Sequence, residues 1–114
     1  MAVHHNRLLL LLLIIFCSRL GADAVDIAIQ QIGKPYVLGE ESPERGFDCS
    51  GLTLYAYQGI FPLDRASLQQ SVQGSPVSGE FRRGDLLFFE TFGEKPNVVT
   101  HVGITRRRMH RATT

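Results

Sequence analysis

A cysteine and a histidine are the residues of this chain best suited to catalysis. Cys49 lies in the run 48–51 (DCSG), and His101 opens the later run 101–104 (HVGI). Thiolate is the nucleophilic form of cysteine, and a helix N-terminus or a neighbouring imidazolium lowers a thiol pKa from about 8.5 into the reactive range. Imidazole ionises near neutral pH, as a general base must. The pair therefore favours thiol catalysis, with Cys49 as nucleophile and His101 as base.

Two helices are expected to precede the histidine. The first carries apolar residues at helical spacing, namely Val25, Ala28, Ile29 and Ile32. Gly33 and Pro35 are typical of its C-terminal end. In the second helix Asp48 acts as N-cap and places Cys49 in the first turn. Its predicted buried face consists of Leu52, Tyr55 and Ala56, with Gly59 as a stop and Gly51 allowing close packing.

Strand signals follow a polar segment in which Ser67 and Gln70 frame a short helix. Gly84 and Asp85 indicate a turn, and residues 86–89 (LLFF) are typical of a buried strand. Residues 100–104 predict a second strand that presents His101 and Gly103 on one face. Helices followed by strands indicate an α+β fold, with the helices packed on one side of a small antiparallel sheet.

The N-terminus has the layout of a secretory signal. Arg7 precedes an apolar run at 8–16, and residues 22–24 read Ala-Asp-Ala. The run is shorter than the roughly 20 residues a membrane-spanning helix needs. We therefore expect a signal peptide at 1–24, one domain at 25–114, and an exported protein without a stable membrane span. The net charge of +1 argues against nucleic acid as a partner.

Five sequence blocks together resemble the NlpC family of cell-wall cysteine endopeptidases. They occur in the family's order, at close to its spacings, at residues 33–39, 46–52, 63–67 with Gln70, 83–89 and 101–104. The resemblance implies a papain-like α+β domain that hydrolyses peptides of bacterial peptidoglycan, near D-glutamate or diaminopimelate, in the periplasm or cell wall. Its substrates would be peptidoglycan peptides, and the chemistry requires no cofactor.

The resemblance also implies roles for particular residues. Cys49 would be the nucleophile and His101 the base, with His110 as the residue that orients the base. Tyr36 would lie beside the nucleophile and help to form the oxyanion site. Asp48 and Ser50, which flank the cysteine, would help to hold the free amine of the stem peptide.

The position of His110 depends on the turn that follows the second strand. A two-residue turn at 105–106 would pair Val102 with Met109 and His101 with His110, which places the two histidines side by side. Thr-Arg suits such a turn poorly, because both central residues need positive φ. Relatives also continue with further strands, whereas this chain stops at Thr114 after an arginine-rich run, so the sheet is expected to be incomplete.

Three other functions compete with the peptidase. A truncated, inactive remnant or wall-binding module would keep the fold without the activity, and an amidase or acyl transferase would use the same Cys-His pair. A metal site would draw its ligands from Asp48, Cys49, His101 and His110. No CxxC or HxxxH spacing supports it, so we predict no metal.

Overall fold

The computed structural model describes residues 24–90 and 98–109. Helix α1 covers residues 24–30 and passes through a turn to Gly33, whose φ of +99° is readily adopted only by glycine. The predicted first helix and its glycine end are confirmed. Ile32 lies in the turn and is 73% exposed, so the apolar stripe is shorter than its spacing indicated. The predicted signal peptide lies outside the described residues, except for Ala24.

A small hairpin leads into the second helix. Strands β1 (Glu41–Ser42) and β2 (Gly46–Phe47) pair antiparallel, and the Val37 N–H donates to the Phe47 carbonyl at 3.0 Å. Gly46 has φ +103°, and a Cβ there would lie 2.5 Å from the Pro35 carbonyl oxygen. Only glycine therefore allows residues 35–37 to approach β2. This approach holds the segment that contains Tyr36 beside the start of the next helix.

The second helix, α2 (Cys49–Ala56), buries small and polar residues. The buried set is Ser50, Gly51, Thr53 and Ala56. Leu52 and Tyr55, which were expected to be buried, are only half-buried, so that prediction was wrong. The reason is close packing: a Cβ on Gly51 would lie 2.8 Å from Asp48 Oδ1 and closer still to the Glu40 carbonyl oxygen.

The third helix and the sheet complete the described fold. The short helix predicted around Ser67 and Gln70 is present as α3 (Ser67–Gln70), although it has no side-chain cap. Strands β3 (Leu86–Phe89) and β4 (His101–Ile104) pair antiparallel, with Leu86 opposite Ile104 and Phe89 opposite His101. Helix α2 packs on β4. The α+β class, with helices on a small antiparallel sheet, is therefore confirmed.

The main core joins helices and sheet at one face of the strands. Its buried members are Ala24, Ala56, Tyr57, Leu86 and Val102. Strand β3 was expected to be buried throughout, but its far end at Phe89 is 44% exposed. An antiparallel sheet with one covered face alternates between core and solvent along each strand, which explains the difference.

The chain after β4 does not turn back along that strand. The Thr105 N–H donates to the Asp85 carbonyl at 2.8 Å, and Met109 exchanges two 2.9 Å backbone hydrogen bonds with Phe81. The pairing of Val102 with Met109 is therefore wrong, as the poor fit of Thr-Arg to a tight turn explains. His110 lies outside the described residues. None of the helices described in 24–90 and 98–109 has the length and apolarity to cross a membrane.

Candidate active site

One cavity of about 320 Å³ collects several of the residues singled out in the sequence. Its walls come from the end of α1, the segment that leads to β1, the start of α2, and β4. Cys49, His101, Tyr36 and Asp48 all line it. Residues separated by up to 65 positions in sequence therefore face a common space, as a catalytic site requires.

Cys49 is the first residue of α2, and its thiol is free and half-buried. Asp48 caps this helix in an extended conformation (φ −92°, ψ −177°), and its Oδ1 accepts the Gly51 N–H at 2.7 Å. The predicted N-cap is thus confirmed. The first backbone N–H groups of a helix and the positive end of its dipole favour negative charge at this position. Cys49 therefore lies at the positive end of α2 and lines the cavity.

The Tyr36 hydroxyl reaches Cys49 from the segment before β1. It interacts with both the backbone and the side chain of Cys49. Desolvation of the hydroxyl, followed by the neighbouring charges of Cys49 and Asp48, raises the pKa of Tyr36. The phenol therefore stays protonated at neutral pH and can donate a hydrogen bond. With 66% of its surface exposed, Tyr36 is also accessible to a ligand.

His101 enters the cavity from the first position of β4. It is exposed, and its ring lies 5.8 Å from the Phe89 ring, centroid to centroid, with the planes tilted by 36°. This ring contact comes from the directly opposed residue on β3. The imidazole is thereby supported on one side by an aromatic neighbour while it lines the cavity with Cys49.

The residues that flank Cys49 join a network centred on Arg65. Asp48 is only 7% exposed, and its Oδ2 accepts the Gly39 N–H at 2.8 Å and an Arg65 Nη2 hydrogen at 2.9 Å. Burial would raise the pKa of Asp48, but hydrogen bonds from Arg65, Gly39 and Gly51 outweigh it and lower the pKa. Asp48 is therefore an ionised, fully partnered carboxylate. Its predicted contact with a substrate amine, like that of Ser50, stays a prediction.

A second buried polar side chain, that of Gln70, holds α2 in place. Gln70 is 1% exposed, accepts the Thr53 hydroxyl at 2.7 Å, and donates to the Ser50 carbonyl at 3.1 Å and the Asp64 carbonyl at 2.7 Å. The sequence indicated a helix-framing role for Gln70, but not these contacts with α2. Within the described residues, no three His, Cys, Asp or Glu side chains are grouped closely enough to hold a metal ion.

Comparison with known proteins assigns the family. The fold is that of a papain-like α+β domain, and Cys49 lies at the start of a helix. Residues 33–109 match the NlpC/P60 family, and the chain belongs to that family. It is 40% identical over 86 residues to murein DD-endopeptidase MepH of Escherichia coli, covering 71% of this chain and 31% of that protein. It is 36% identical over 97 residues to a gamma-DL-glutamyl hydrolase of Bacillus subtilis, covering 75% and 23%.

Solved structures agree with this assignment. A crystal structure from Staphylococcus aureus, described as similar to a lipoprotein of the NLP/P60 family, superposes with a TM-score of 0.69 at 32% identity, covering 82% of this chain and 34% of that one. The NlpC/p60 domain of the peptidoglycan hydrolase SagA gives a TM-score of 0.59 at 33% identity, covering 75% and 72%. The chain spans about a third of the length of MepH, so it corresponds to a part of that relative.

Proposed function

We propose that this chain is an exported cysteine endopeptidase that hydrolyses peptide bonds in peptidoglycan. The observation that carries the proposal is the cavity shared by Cys49, Tyr36 and His101, with the thiol at the start of α2. The names of its relatives support the substrate class, since they include a murein DD-endopeptidase and the peptidoglycan endopeptidase RipA of Mycolicibacterium smegmatis. The signal-like N-terminus agrees with export to the compartment that contains this polymer.

The reaction proceeds in two halves through a thioester. His101 accepts the Cys49 thiol proton, and the sulfur attacks the carbonyl carbon of the scissile bond. The oxyanion that forms is stabilised by the Cys49 backbone N–H and the Tyr36 hydroxyl. The C–N bond then breaks, and the amine leaves with the proton from His101.

Water completes the cycle. His101 removes a proton from water, which attacks the thioester carbon, and the C–S bond breaks to release a carboxylate and restore the thiol. His110 would orient His101 in this scheme. The bond proposed for cleavage lies in the D-glutamate and diaminopimelate region of the stem, and a gamma-DL-glutamyl hydrolase among the relatives favours this region.

The test is digestion of purified peptidoglycan by the whole chain, with the products identified by mass spectrometry. Cys49→Ala and His101→Ala should each abolish release of peptides, while Gln69→Ala, an exposed residue of α3, should not. A new amino terminus on the diaminopimelate residue would identify an endopeptidase. A free lactyl group or a transferred acyl group would instead identify an amidase or a transferase.

Folding and thiol reactivity are measured on the same samples. A folded chain with an alkylatable Cys49 that leaves peptidoglycan intact would refute the peptidase and favour the inactive wall-binding alternative. Activity that survives Cys49→Ala would refute the role of the thiol.

A further inference from the structure

Arg65 lies in the connection between α2 and α3, and its guanidinium contacts both neighbours of the nucleophile. Nη2 lies 2.9 Å from Asp48 Oδ2, and Nη1 donates to Ser50 Oγ at 2.8 Å. The same group contacts β1, with Nε 3.3 Å from Glu41 Oε1 and Nη2 3.3 Å from the Glu40 carbonyl oxygen. One planar side chain therefore joins β1 to the residues on either side of Cys49.

The charge that Arg65 balances lies next to the reacting sulfur. Asp48 precedes Cys49 directly and is buried, so its negative charge is poorly screened by solvent. A carboxylate on the adjacent residue disfavours a second negative charge nearby, including a thiolate. In the part of the chain that the structure describes, the other titratable groups that line the cavity with Cys49 are Lys34, Tyr36 and His101. Arg65 is the cation that bonds directly to the carboxylate.

The Asp48 carboxylate is also needed to hold the backbone on either side of it. Its two oxygens accept the Gly39 and Gly51 N–H groups at 2.8 and 2.7 Å, which fixes the loop before β1 and the first turn of α2. A neutral side chain would remove the charge, but it would accept these bonds less strongly. A buried carboxylate beside a nucleophile thus requires a permanent counter-charge, and arginine is effectively always protonated.

We propose that Arg65 is a positioning residue that neutralises Asp48 and holds Ser50, so that Cys49 is presented as a reactive thiolate. This role rests on the proposed function of Cys49 as nucleophile. Arg65 does not touch the reacting atoms; it acts through the two residues that flank them. Its loss therefore raises the pH at which Cys49 becomes nucleophilic, because the uncompensated carboxylate then opposes the thiolate.

The test measures alkylation of Cys49 by iodoacetamide across pH in the whole chain. The adduct is quantified on the peptide that contains Cys49, so that Cys17 does not contribute. Arg65→Met should move the alkylation profile up by about one pH unit, which slows the reaction about tenfold near pH 7. The double variant Arg65→Met with Asp48→Asn should recover most of that rate, because the opposing charge is gone.

Arg45→Met is the matched control. Arg45 is also an arginine with an acidic partner, Glu40 at 3.9 Å, but its side chain is 74% exposed. Exposed pairs of this kind contribute little, so its alkylation profile should match that of the unaltered chain. Arg65→Gln, which keeps a hydrogen-bonding amide without the charge, carries the same prediction as Arg65→Met and decides the matter if the methionine variant does not fold.

Two results would overturn the role of Arg65. An unchanged alkylation profile in a folded Arg65 variant would show that the counter-charge is irrelevant to the thiol. If Arg65→Met slows alkylation and the Asp48→Asn change fails to restore the rate, Arg65 has only a structural role and does not act through its charge. Both readouts are independent of substrate cleavage, so a failure of the proposed peptidase activity would be seen separately in the peptidoglycan digest.

Discussion

Gly51→Ala tests the packing around α2 sharply, because two effects predict changes of opposite sign in the free energy of unfolding. Alanine is a better helix former than glycine by about 1 kcal/mol, so an open site would gain stability. The structure indicates the reverse. A Cβ at position 51 would lie 2.8 Å from Asp48 Oδ1 and nearer still to the Glu40 carbonyl oxygen. That oxygen is held by the Asp48 N–H at 3.0 Å and by Arg65, so it cannot easily move.

The expected cost follows from this contact. Overpacking a tight site costs about 1–3 kcal/mol, and a clash with fixed backbone favours the upper end. After subtraction of the ~1 kcal/mol helix gain, Gly51→Ala should lower the free energy of unfolding by about 2 kcal/mol. For a domain of this size that corresponds to a fall in Tm of roughly 8–16 °C.

Thermal unfolding of the whole chain, followed by circular dichroism, measures the effect. Gly103→Ala is the control, because its Cβ would meet nothing nearer than Phe89 Cε2 at 4.0 Å. Its Tm should stay within a few degrees of that of the unaltered chain. A Tm for Gly51→Ala equal to or above that of the unaltered chain would refute the close approach of α2 to Glu40.

Three further predictions concern buried polar groups. Because the pKa of Asp48 is lowered in the folded chain, its carboxylate stabilises the fold fully above its ordinary pKa of about 3.9, and this effect is lost as pH falls through the lower folded value. In urea titrations, the free energy of unfolding of Asp48→Asn should therefore approach that of the unaltered chain only in acid. A difference between the two proteins that stays constant down to pH ~2 would contradict this. Burial first, and then the Asp85 charge, raise the pKa of Tyr57 to about 12, so its stabilising effect is complete below pH ~10 and is lost as pH rises from there to about 12. A spectrophotometric titration of the folded chain should show a phenolate step near pH 12 that Tyr57→Phe removes, and a titration that Tyr57→Phe leaves unchanged would contradict this. Gln70→Leu breaks three hydrogen bonds, two of them buried, and should cost about 2–4 kcal/mol in urea unfolding. Gln69→Leu on the exposed side of α3 should be nearly neutral, and equal losses in the two variants would refute the anchoring of α2 by Gln70.

The elements around the site were predictable because their signals are local. An N-cap aspartate, a glycine after the first helix and a glycine-aspartate turn act within a few residues of themselves. The start of α2 at Cys49, the turn at Gly33 and the strand at β3 all follow from such signals. The alternation along β4 likewise placed His101 and Val102 on opposite faces, and the structure has them exposed and buried respectively. The position of Cys49 at the start of a helix can therefore be predicted from the sequence alone.

The hydrogen bonds of Arg65 to Asp48 and Ser50 were not predictable, because they depend on tertiary contacts. Arg65 meets Asp48 across 17 positions, and the only sequence signal for it was its place in the block 63–67. The burial of Thr53 instead of Leu52 has the same origin. Helical spacing marks apolar residues as the inner face, whereas the close approach of Glu40 and the reach of Gln70 select small and polar ones. The spacing of apolar residues predicts that a helix is buried more reliably than it predicts which face of the helix is buried.

The polar inner face of α2 has a thermal consequence. Among the described residues, seven buried hydrophobic residues stand beside six buried polar or charged ones. Exposure of apolar surface raises the heat capacity on unfolding, and exposure of polar surface lowers it. A core of this mixture should unfold with a small heat-capacity change, which flattens the curve of stability against temperature. The domain is then expected to lose little stability on cooling.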